Sequence, residues 1–138
     1  MKKIYFLGFI LIILDQITKF LIRDKSIEIT NFFSLEYVTN TGSLFGLFKG
    51  NNLVFILIGL IILILITVWF IREKNNKLNL GLIFLISGIA GNLIDRIIYG
   101  NVIDFINFKF WYVFNFADVY ILAGIFLVIY TSRKITRT

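Results

Sequence analysis

The sequence has no cysteine, no histidine and no proline among its 138 residues. Without cysteine there is no disulfide, no thiolate nucleophile and no cysteine-ligated metal. Without histidine the chain lacks the usual general base of serine and cysteine hydrolases, the usual ligand of catalytic zinc, and the side chain that titrates most readily near neutral pH. Any chemistry falls to carboxylates, lysine, arginine, hydroxyls and amides, and no metal or other cofactor is expected. Charge is scarce as well: 16% of residues are Asp, Glu, Lys or Arg. A charge inside an apolar run therefore calls for an explanation.

Apolar residues dominate what is present. They make up 59% of the chain, and the mean hydropathy of +0.90 lies outside the range of ordinary soluble domains. The length, 1–138, suits a single integral membrane domain. Four segments, about 4–22, 53–71, 78–99 and 116–131, reach or approach the roughly 20 helical residues that cross a hydrocarbon core. Backbone groups in lipid must be satisfied within their own segment, so each is expected to be a helix despite its Ile and Val content. The first resembles a secretory signal, but no small-residue cleavage site follows it, and it reads as an uncleaved span.

The net charge of +6 follows membrane topology. Lys2, Lys3, Arg72, Lys74, Lys77, Arg133, Lys134 and Arg137 fall on one side of a four-span chain. Arg23, Lys25, Lys49 and Lys109 fall on the other, diluted by Asp24, Glu28 and Glu36. The richer side is cytoplasmic by the positive-inside rule, which puts both termini there. Basic residues scattered between apolar runs form no nucleic-acid surface.

The two outer connections are patterned. Residues 26–40, SIEITNFFSLEYVTN, are β-branched and aromatic with partial alternation, which predicts a small sheet. Residues 100–115, GNVIDFINFKFWYVFN, are aromatic and amphipathic, as at the headgroup level. The predicted fold class is membrane all-α. It has four transmembrane helices, a small β-rich periplasmic element between helices 1 and 2, and a short amphipathic periplasmic segment between helices 3 and 4.

At about 1.5 Å per residue from each cytoplasmic end, Asp15 lies about 17 Å along the first span, Lys19 about 22 Å, Asp95 about 26 Å along the third and Asp118 about 20 Å along the fourth. All lie in the outer half. Charges within a membrane cost at least a few kcal/mol each and mark function by default. An ion or proton pathway needs polar groups at successive depths, whereas a site worked from one face needs them gathered there, as here. A transporter or channel subunit is thereby disfavoured.

Plainer readings stand beside this one. Asp15 and Lys19, spaced i, i+4, suit a structural ion pair as well as a site. Asp95 and Arg96 are adjacent, so they must reach separate partners. Asn40 and Gly42 fit an ordinary turn before a helix, Asn92 and Asn115 fit backbone capping at helix ends, and Asp104 fits an interfacial carboxylate. Asp118 resists such a reading, because no acid or base accompanies it within its apolar helix. Fourteen positions separate it from Asp104, enough for a short excursion that returns both carboxylates to one place. Two carboxylates that close share a proton, one acting as general acid while the other activates water. Such a pair hydrolyses peptide bonds without histidine, cysteine or metal. A Ser–Lys peptidase using Ser43 or Ser87 with Lys19 is disfavoured because Asp15 stabilises the charged lysine. A non-enzymatic membrane adaptor leaves the two carboxylates unexplained.

Four stretches in order, DQITK (15–19), NTGSLFG (40–46), GNLIDRIIYGNVIDFI (91–106) and FNFADVYILAG (114–124), resemble the bacterial lipoprotein signal peptidase, or type II signal peptidase, family along essentially the whole chain. The resemblance implies an aspartic endopeptidase of the inner membrane, active near the outer leaflet. It would cleave the signal peptide of diacylglyceryl-modified prolipoproteins on the amino side of the lipidated cysteine. By motif, Asp104 and Asp118 would be the catalytic pair. Asn92, Asp95 and Arg96 would support the site, Asn40, Gly42 and Asn115 would line it, and Asp15 with Lys19 would be the polar pair of the first span. The expected partners are the prolipoprotein substrate, membrane lipids and globomycin-type cyclic peptide inhibitors, with the protein acting as a monomer. The chain departs from the family pattern at Ser43 and Leu44, where small residues are common, and at Tyr112 and Val113, where a proline often precedes the FNxAD element. Leu44 would narrow a substrate groove.

Overall fold

The computed structural model describes residues 2–42 and 51–135. Ser43 and Leu44 lie outside them. The elements run α1 (Lys2–Ile22), β1 (Ser26–Thr30), β2 (Phe33–Asn40), α2 (Asn52–Arg72), α3 (Asn76–Tyr99), β3 (Val102–Phe108) and α4 (Phe116–Ile135). All four helices are long and apolar enough to cross a membrane. Helix α3 is central: it packs on α1, α2 and, most extensively, α4.

The α3–α4 seam depends on glycine. A Cβ on Gly81 would meet Val128 Cγ2 at 2.8 Å, and one on Gly88 would collide with the Ala117 carbonyl. Small residues let transmembrane helix backbones approach closely, and lipid, as apolar as leucine, leaves packing rather than hydrophobicity to hold them together. Gly91 performs a similar service for α1, because a Cβ there would lie 2.6 Å from Asp15 Oδ2. The buried stripe of α1, Gly8, Leu11, Asp15 and Lys19, keeps helical spacing and faces α3.

The three strands form one antiparallel sheet in the order β1-β2-β3. The expected β-rich element between helices 1 and 2 therefore takes a third strand from the segment read as amphipathic between helices 3 and 4. Its aromatic and β-branched residues pair with β2: Phe33 lies opposite Phe108, with rings stacked at 4.9 Å. Between Leu35 and Val38 strand β2 carries an extra residue relative to β3. This bulge puts Val38 opposite Asp104 and Asn40 opposite Val102. Beyond β3 the chain turns back at once: Phe114 and Ile106 exchange backbone hydrogen bonds of 2.8 and 3.1 Å. Phe105 then packs edge-on against Phe116 at 5.5 Å, tying β3 to the start of α4.

Candidate active site

The site begins where α4 begins. Asn115 precedes the helix, and its Oδ1 accepts the Asp118 backbone N–H at 3.0 Å while Asp118 Oδ2 accepts the Asn115 N–H at 3.1 Å. This reciprocal pairing is a capping box, which satisfies two backbone donors and holds the Asp118 carboxylate at the helix N-terminus. Asn115 Nδ2 also donates to Asp104 Oδ1 at 2.7 Å and to the Ile103 carbonyl at 3.2 Å. One fully buried asparagine thus binds both carboxylates.

Two more asparagines complete the set. Asn40 Nδ2 donates to Asp104 Oδ2 at 3.0 Å, and its Oδ1 accepts the Gly42 N–H at 3.0 Å. Asn92 Nδ2 donates to Asp118 Oδ1 at 2.8 Å. All four carboxylate oxygens therefore accept hydrogen bonds from neutral donors. Asp104 is 3% exposed. Burial, and next the neighbouring Asp118, push its carboxyl up to about 7, against the hydrogen bonds from Asn40 and Asn115. A pair so placed can hold one proton near neutral pH.

Behind the carboxylates lies a buried charged layer. Lys19 is 2% exposed and lies 2.8 Å from both Asp15 and Asp95, neither of which is exposed at all. Asp15 Oδ1 accepts the Ala117 N–H at 2.9 Å, and Asp95 Oδ2 accepts the Ile103 N–H at 3.1 Å. The layer thereby grips both elements that carry the pair. Arg96 turns elsewhere, as adjacency on a helix requires: Nη2 donates to the Gly42 carbonyl at 3.0 Å, and the guanidinium lies 4.4 Å from the Phe55 ring centroid. Among the described residues no group of three or more carboxylates is placed to hold a metal ion.

Comparison with known proteins decides the family. A family model described as signal peptidase (SPase) II matches residues 7–134. The chain belongs to the signal peptidase II family. Among its relatives, the lipoprotein signal peptidase of Clostridium novyi (strain NT) is 39% identical over 137 residues, covering 89% of this chain and 93% of that one. The lipoprotein signal peptidase of Halothermothrix orenii is 37% identical over 135 residues, covering 91% and 92%. A solved structure described as a bacterial membrane enzyme, determined by the in meso method at 2.3 Å resolution, superposes with a TM-score of 0.89 at 30% identity, covering 99% of this chain and 90% of that one. This member of the signal peptidase II family is accordingly a peptidase and a multi-pass membrane protein.

The ten residues singled out by sequence, Asp15, Lys19, Asn40, Gly42, Asn92, Asp95, Arg96, Asp104, Asn115 and Asp118, lie in one continuous hydrogen-bonded network in this signal peptidase II chain. Several plainer readings are also true: Asn115 caps a helix and Asn40 closes a turn onto Gly42 while both bind Asp104. Sequence reasoning passed over Gln16, whose amide donates to Asp15, Asp95 and the Gly91 carbonyl at 3.0 to 3.2 Å. A polar amide beside Asp15 in an apolar span was the available signal. It also passed over Asn52, which donates to the Arg96 carbonyl at 2.9 Å. For the Ser–Lys alternative, Ser87 Oγ donates instead to the Ile83 and Gly8 carbonyls at 2.8 and 3.2 Å. Ser43 lies outside the described residues.

Proposed function

We propose that Asp104 and Asp118 are the catalytic pair with which this signal peptidase II family member cleaves signal peptides from diacylglyceryl-modified prolipoproteins. Membership in the family makes the protein an aspartic endopeptidase acting on lipoprotein signal peptides. The observation that carries the residue assignment is Asn115, which binds Asp104 through its amide and Asp118 through its backbone N–H. In the proposed reaction a water between the carboxylates attacks the scissile carbonyl carbon on the amino side of the lipidated cysteine. The ionised carboxylate takes the water proton, and the protonated one delivers its proton to the departing amine as the C–N bond breaks. The asparagine amides keep both groups oriented without adding a charge.

The lysine and arginine distribution supports a cytoplasmic-membrane protein with both termini inside and the site near the outer leaflet. A lipid-anchored substrate presents its cleavage site at that depth. Globomycin-type cyclic peptides would bind at the same carboxylates, and a single copy carries both of them, in keeping with a monomer. The test is gel-shift cleavage of a lipid-modified prolipoprotein by Asp104→Asn and Asp118→Asn variants that insert and fold. Each is expected to be inactive, and turnover near wild type in either would overturn the assignment.

A further inference from the structure

We propose that Lys19 is the positioning residue of the carboxylate pair, acting through Asn92. The inference rests on the assignment of Asp104 and Asp118 above. The two ends of an amide are chemically opposite: an asparagine aids a carboxylate only when its NH2 faces it. Which end faces which way is decided by neighbours that can only donate. For Asn40 that neighbour is the Gly42 N–H, and for Asn115 it is the Asp118 N–H.

For Asn92 it is the Lys19 ammonium, 3.1 Å from Oδ1. An ammonium has three N–H groups and no lone pair. Those of Lys19 are taken up by Asp15, Asp95 and Asn92. With Asn92 Oδ1 turned to Lys19, Nδ2 is turned to Asp118 Oδ1. Oδ1 also receives Asn115 Nδ2 at 3.0 Å, so the amides of Asn92 and Asn115 interlock beneath both carboxylates.

A buried ammonium needs three acceptors in any role. What singles out the third here is that it is an uncharged amide whose other end reaches Asp118. Removing Lys19 leaves Asn92 Oδ1 held by Asn115 Nδ2 alone, so one of the two donors that set the amide is lost. The hydrogen bond from Asn92 Nδ2 would then hold Asp118 less firmly relative to Asp104.

The test is a mutant cycle in the full-length protein, assayed on a lipid-modified prolipoprotein, with Asp15→Asn as the common background so that loss of Lys19 leaves one buried carboxylate, Asp95, without its cation rather than two. D15N, D15N/K19M, D15N/N92A and D15N/K19M/N92A are compared by kcat and KM, with thermal melting to establish that each is folded. Losing Lys19 or Asn92 is expected to lower kcat on the order of tenfold to a hundredfold with KM little changed. The variant lacking both should be no slower than the one lacking Asn92 alone. Multiplying effects, or a rise in KM at constant kcat, would overturn the inference. Should D15N/K19M not fold, Lys19→Gln, which loses the charge but keeps an N–H for Asn92, enters the same cycle, with kcat expected above that of N92A and the same non-additivity. D104N and D118N are run alongside: activity in either removes the carboxylate assignment itself, whereas inactivity with multiplying effects removes only the role of Lys19.

Discussion

Helices α2 and α3 are both apolar and both exceed twenty residues, yet α2 buries one side chain, Phe70, where α3 buries eleven residues. The difference follows from side-chain type. Between Asn52 and Arg72 at its ends, helix α2 is apolar nearly all round, with Thr67 as the exception, so lipid can cover most of it. Helix α3 carries Gly81, Gly88, Gly91, Asn92, Asp95 and Arg96, residues that either admit a neighbouring backbone or require a polar one. In this protein α3 organises the site and α2 bounds it. One part of the cluster, Arg96, reaches back to α2 through Asn52 and Phe55.

The sharpest way to test that division is to remove chemistry from the polar side. Asp104→Asn and Asp118→Asn should each lower turnover by roughly 10⁴-fold or more, by analogy with removal of an essential group elsewhere, without loss of insertion. The glycine seam comes next. Gly88→Leu forces a side chain against the Ala117 carbonyl and Ile121, one residue from Asp118. It should cost about 1–3 kcal/mol or more of stability, read as a fall in melting temperature together with lost activity.

Asn115→Ala should be milder in stability, about 1 kcal/mol for the lost cap. Its effect on turnover should be larger than that figure implies, because Asp104 loses a hydrogen bond as well; kcat compared with melting temperature checks this. A pH profile refines the picture further. The Asp104 carboxyl lies at about 7, above its ordinary 3.8, so the folded protein holds this proton more tightly than the unfolded chain does. The associated stability is complete below about pH 3.8 and is lost as pH rises through about 7. Turnover should fall over the same alkaline limb, with a midpoint near 7. At the other extreme, Ile61→Ala or Leu65→Ala on α2, 59% and 64% exposed, should leave turnover within about twofold. A large loss there would mean that α2 does more than face lipid.

The sequence by itself determined the four spans and marked the charged residues within them that had to find partners. Unbroken apolar runs near 20 residues have no stable alternative to a helix in lipid, and a charge within such a run must find a partner because nothing else will solvate it. That is why Asp15, Lys19, Asp95 and Asp118 were legible as a group. Only the tertiary structure decided how they connect. The extra residue in β2 between Leu35 and Val38 selects Asn40, rather than Thr39, to lie opposite Val102 and so to reach Asp104. A bulge has no strong local sequence signature, because strand register is set by pairing with another strand. The third strand itself was hidden for the same reason, since an aromatic, β-branched segment reads alike as interfacial surface or as an unpaired edge. The sense of the Asn92 amide, turned by a lysine 73 residues away, depends on contacts that close only when α1 packs against α3.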